Sequence, residues 1–211
     1  MCKKVIALLT LMTTLLALSA CNGTKLYDSD MDIYEKIHAY YSNLQQYSAD
    51  VAFTCYSNKT ENHYSATQKA LGNDKFYIKV ETPEKNGFIT TITNGEMTKT
   101  VADSSDYSIT VPTAETMNLL FVNHFFKSYY GSEDTCLAVN SSDAGGVTIL
   151  ETAVFPAKRD AARMALSVDN KTLAPVSLTV YSHGGNVTTS CKFSNFKYND
   201  KSVQDTDFTT D

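Results

Sequence analysis

The residues of this sequence able to do chemistry are four histidines, five cysteines and one serine–lysine pair. Ser194 and Lys197 stand three apart, a spacing that on a helix lets a lysine activate a serine nucleophile. The run around them alternates with strand period. In a regular strand an offset of three sends the two side chains to opposite faces, so the pair is set aside. His38, His63, His124 and His183 fall on separate elements without metal-ligand spacing. His38 reads as a solvated helix residue, His183 as a turn residue and His124 as one lying against an apolar helix. The acids Glu133-Asp134 and Asp103…Asp106 sit in loop-like segments, where carboxylates more often solvate a surface than transfer protons. No HExxH, GxSxG, phosphate loop or dinucleotide fingerprint occurs. The reading is a protein that is not an enzyme and needs no cofactor.

The most specific chemical signal lies at the start. Lys3 and Lys4 form a charged region, Val5 to Leu18 an apolar stretch broken by Thr10, Thr13 and Thr14, and Ser19 and Ala20 precede Cys21. This is the layout of a secretory signal peptide, assigned to residues 1–20. Leu18-Ser19-Ala20-Cys21 resembles the lipobox of bacterial lipoproteins, which implies diacylglycerol and palmitate-type acylation of Cys21 and a durable anchor in the lipid bilayer. Residues 21–30 then read as a short lipidated tether, and 31–211 as a single domain. The expected location is the extracytoplasmic face of the bacterial cell membrane. Loss of Lys3 and Lys4 takes the formal net charge from −5 to −7, which excludes a general nucleic-acid binder.

With Cys2 removed and Cys21 acylated, Cys55, Cys136 and Cys191 remain. The number is odd, no CxxC exists, and the spacings suit no zinc site. Cys55 and Cys191 both fall on the apolar phase of predicted strands. They are either small core residues or a Cys55–Cys191 disulfide, and both readings stay open.

The elements that must position these groups are a helix, many strands and one more helix. Ser29 with Asp32 forms a capping-box pattern. Tyr34, Ile37, Tyr41 and Leu44 then make one stripe of an amphipathic helix ending near Tyr47. From Ala49 the chain alternates as a half-buried strand through Val51, Phe53 and Cys55. Strand-like runs follow at Ser65–Leu71, Lys75–Glu81, Phe88–Thr93, Glu96–Ala102 and Tyr107–Val111, and Asn94-Gly95 is a hairpin signal. Ala114 to Lys127 predicts a second helix, with Met117, Leu120, Phe121, His124 and Phe125 on an unusually apolar face. Five further strand-like runs follow at Thr135–Asn140, Val147–Val154, Arg163–Val168, Val176–Tyr181 and Val187–Tyr198. The tail from Asp200 offers only Val203 and Phe208 for docking.

The order of elements, with Tyr47-Ser48-Ala49-Asp50-Val51-Ala52-Phe53, Asn94-Gly95, Leu166-Ser167-Val168-Asp169, Leu173-Ala174-Pro175-Val176 and Phe193-Ser194-Asn195-Phe196, resembles the LolA-like superfamily of outer membrane lipoprotein carriers. The resemblance covers most of residues 31–208. It implies an α+β, mainly β fold: a strongly curved antiparallel sheet of about eleven strands, like an unclosed barrel, with an N-terminal and a central helix on its concave face. Among anchored relatives the chain looks most like the germination lipoproteins GerS and GerS-related. In the carriers the cavity between sheet and helices holds acyl chains. The matching positions are Tyr34, Ile37, Tyr41 and Leu44 on the first helix, and Met117, Leu120, Phe121 and Phe125 on the second. The sheet would add Val51, Phe53, Phe76, Ile78 and Val80. The carriers also hold their helical lid with an arginine on the early strand, and Asp50 to Ser57 contains none.

Two functions follow. In the first, as the GerS resemblance implies, the protein is an anchored module that binds an envelope protein, a cell-wall amidase in spore germination, with sheet edges open to strand addition or a homodimer. In the second it binds an apolar ligand, a lipid or a lipoprotein acyl chain. The first expects a filled interior. The second expects a cavity of roughly 300–1,000 Å³ behind the Met117–Phe125 helix.

Overall fold

The computed structural model describes residues 28–57, 59–82, 87–103, 107–114, 118–140 and 146–209. The assigned signal peptide, Cys21 and Met117 lie outside them. By contacts the chain divides into Met1–Tyr34 and Glu35–Asp211, and every strand belongs to the second unit. Helix α1 spans Asp28–Ser42 and α2 spans Val122–Gly131. The strands are β1 (Gln46–Tyr56), β2 (Glu61–Leu71), β3 (Lys75–Thr82), β4 (Gly87–Asn94), β5 (Met97–Ala102) and β6 (Ser108–Pro112) before α2. After it come β7 (Thr135–Asn140), β8 (Val147–Lys158), β9 (Ala161–Asp169), β10 (Pro175–Tyr181) and β11 (Val187–Tyr198). A short 3-10 helix, Asp205–Phe208, lies near the C-terminus.

All eleven strands form one antiparallel sheet in the order β6-β5-β4-β3-β2-β1-β11-β10-β9-β8-β7. β6 and β7 are its edges, so it is not closed. This is the mainly β, α+β architecture expected. The meander β1–β6 follows from tight turns: Gly95, at φ +60° after Asn94, and Gly72, at φ +63°, take the left-handed conformation that reverses each hairpin. The two meanders meet where β1 pairs with β11, Tyr47 opposite Tyr198 and Phe53 opposite Cys191.

Ladder partners share a face, so the registers sort every strand. Tyr47, Ala49 and Val51 of β1 face the same way as Ala66 and Gln68 of β2, Phe76 of β3, Leu178 of β10 and Leu166 of β9. This inner face holds the core, with Leu150, Met164, Leu166, Val168, Leu178 and Cys191 sealed from solvent. The outer face carries the charges, among them Lys69, Lys75, Glu81, Arg163 and Lys192. The tail crosses the outer side. Phe208 and Val203 are buried, Lys69 Nζ meets Asp207 at 2.6 Å, and Lys75 pairs with Asp205.

Both helices differ from the sequence expectation at their ends. α1 begins at Asp28, so the last three residues assigned to the tether are helical. It stops at Ser42 rather than near Tyr47. Asn199 Oδ1 accepts the Gln45 and Gln46 amides and turns the chain into β1. α2 starts at Val122, not Ala114. Gln68 Nε2 donates to the Leu120 carbonyl, and Phe121 is extended at φ −98°, ψ 135°. A carbonyl captured by the sheet and an extended Phe121 delay the helix until Val122.

Candidate functional site

The described residues expected to line an acyl cavity divide evenly between buried and half-buried. On α1, Ile37 and Tyr41 are buried while Tyr34 is half-buried, as is Leu44 just beyond the helix. Tyr41 stacks on Phe126 of α2 with ring centroids 4.1 Å apart, and its hydroxyl donates to the Leu173 carbonyl at 2.8 Å. Phe121 and Phe125 are buried, and Phe121 lies on Phe76 at 4.8 Å between centroids. Val51 is buried, whereas Phe53, Ile78, Val80 and Leu120 are half-buried. Beneath α2 the sheet face is therefore packed, and the open volume lies beside Leu119 and Leu120, within the Met117–Phe125 segment.

The tie holding α2 to the sheet was not legible in the sequence. The Tyr47 hydroxyl, fully buried, donates to Gln68 Oε1 at 3.1 Å and accepts the Val122 N–H at 3.2 Å. Gln68 in turn holds Leu120. Burial drives the Tyr47 pKa far above its ordinary value, so the group stays a neutral donor. In place of the arginine that the carrier resemblance would look for, a phenol and an amide hold the helical segment. Their signal was present: a glutamine on the inward phase of β2, opposite an inward tyrosine two positions out of step.

Beyond Leu120 the inner face opens. A groove of about 1100 Å³ lies between Leu119 and Leu120 on one side and Cys55, Val180 and Thr189 on the other, with the turns at Arg159–Ala161 and Ser182–Asn186 along its rim. Across the other wing of the sheet Thr91 bonds Thr100 at 3.1 Å, Thr93 bonds Thr98 at 3.0 Å and Thr98 bonds Thr113 at 2.9 Å. Among the described residues, no inward position in the regular stretches of these ladders carries a charged side chain.

The reactive residues separate. Cys55, Cys136 and Cys191 are free thiols, so the Cys55–Cys191 disulfide considered from sequence is not formed. Cys55 sits opposite Thr189, and Cys191 opposite Phe53. The two thiols are thus diagonal across the ladder, where Cβ atoms lie roughly 7 Å apart, beyond the ~3.5–4.5 Å of a disulfide. The serine–lysine pair needs a different correction. The ladder slips between Ser48 and Asp50, and Asn195 takes φ +50°. This bulge returns Lys197 to the same outer face as Ser194, against regular alternation. Ser194 Oγ turns to the Asp50 carbonyl at 3.4 Å, and no hydrogen bond joins the pair among the described residues. His38, His63 and His183 are exposed and His124 half-buried. Among the described residues no group of His, Cys, Asp and Glu is placed to hold a metal, and no helix is long and apolar enough to cross a membrane.

These features define a class: an unclosed eleven-stranded antiparallel sheet with helices on its inner face, a filled centre and a groove at one end, the architecture that the LolA-like resemblance implied. The chain belongs to the family described as sporulation protein YdcC-like, whose model matches residues 2–208. No curated protein is similar to it in sequence. Among solved structures it is similar to an uncharacterized conserved protein from Thermus thermophilus, at 13% identity over 86% of this chain and 93% of that one, with a TM-score of 0.52. A DUF1329 family protein from Desulfovibrio piger shares 11% identity over 89% and 98% of the two chains, at a TM-score of 0.51. The structure of the CwlD amidase from Clostridioides difficile in complex with the GerS lipoprotein includes a chain that is 21% identical, with 83% and 99% covered and a TM-score of 0.44.

Proposed function

We propose that this protein is a non-enzymatic binding module, held at the extracytoplasmic face of the cell membrane by acylated Cys21, that engages an envelope protein. The partner class implied by the GerS resemblance is a cell-wall amidase acting in spore germination, and membership of a sporulation family supports that setting. One observation carries the reading. Under α2 the side chains pack closely, with Val122 and Phe125 sealed in a core that also holds Leu150, Leu166 and Leu178. What stays open is surface, including the backbone edges of β6 and β7, which suit strand addition by a partner or a second copy.

A specific observation favours a second reading, the apolar-ligand binder. The groove beyond Leu120 holds about 1100 Å³, and the inner sheet face that leads into it is free of charge. An acyl chain fits such a surface.

Native mass spectrometry of the full chain carrying Cys21→Ser, purified without detergent, separates the two. A clean mass, together with capture of an amidase from envelope extract and a rise in its activity, is the expected result. An added mass of several hundred daltons that organic solvent strips away overturns the first reading in favour of the second.

A further inference from the structure

We draw no further inference here: the strongest candidate, the inner sheet face of β3–β6 where Ile89 and Ile109 stay exposed beside half-buried Ile78 and Val80, is an unpartnered apolar face, and nothing in the structure shows what covers it.

Discussion

The Tyr47 hydroxyl donates to Gln68 Oε1 at 3.1 Å inside the sheet and simultaneously accepts the Val122 amide that opens α2. One phenol thus closes a buried chain of hydrogen bonds from β2 through β1 to the helix. Tyr47→Phe keeps the ring and strands both partners. An unsatisfied buried donor costs ~1–3 kcal/mol, so the expected loss of unfolding free energy in urea is about 2 kcal/mol. Gln68→Leu on top of it costs less than the sum, because the two act as one network.

His124 gives stability a slope on the acid side. Burial, then the nearby Lys127 charge, lowers its folded pKa to about 4, against ~6.5 in the unfolded chain. Between these values the unfolded state binds the proton that the folded state refuses. Stability is therefore complete above pH ~6.5 and falls toward pH ~4, by at most about 3 kcal/mol. His124→Gln flattens this part of the pH–stability curve, as urea midpoints across the range measure.

Asp200 acts lower and by the opposite preference. The Ser48 hydroxyl, 2.5 Å away, and then the Ser202 amide hold its pKa down to about 2. The charged form is the one the fold favours. Its contribution is present above the unfolded value of ~3.9 and is lost as pH falls toward 2. Asp200→Asn removes that acid-side loss, and circular dichroism in an acid titration shows an earlier but shallower transition.

The tail is fastened by packing more than by charge. Phe208 is fully buried, and Phe208→Ala is expected to cost ~3–5 kcal/mol. Lys69→Met, which breaks the half-buried pair with Asp207, costs under about 1 kcal/mol. Thermal unfolding of the two variants ranks them.

The free thiols report burial. Cys136 is exposed, Cys55 is half-buried with its pKa raised by burial, and Cys191 is sealed with its pKa pushed up to about 12 by the same cause. Pulsed alkylation read by mass spectrometry should modify Cys136 first, Cys55 next and Cys191 only on unfolding.

Much of the sheet was legible because period-two alternation and glycine turns are local. Val187–Tyr198 and Thr135–Asn140 emerge with the bounds expected, and Asn94-Gly95 makes its hairpin. The start of α2 was not legible, since apolar spacing from Ala114 onward fits a helix, whereas the helix begins at Val122 with the Leu120 carbonyl held by the distant Gln68. The same limit applies to Lys197, whose face depends on a bulge at Asn195 that alternation cannot foresee.

The order of strands has a consequence for synthesis. β1, made early, takes as its neighbour β11, with Tyr47 set against Tyr198. Until the last strand is made, the two meanders share no backbone pairing across that seam, and each presents a long open edge with its greasy side bare. Pairing across such a separation is slow. A chain stalled or clipped before Val187 is thus two half-sheets rather than a shorter version of the whole, and it is this immature form that quality-control proteases and chaperones would meet.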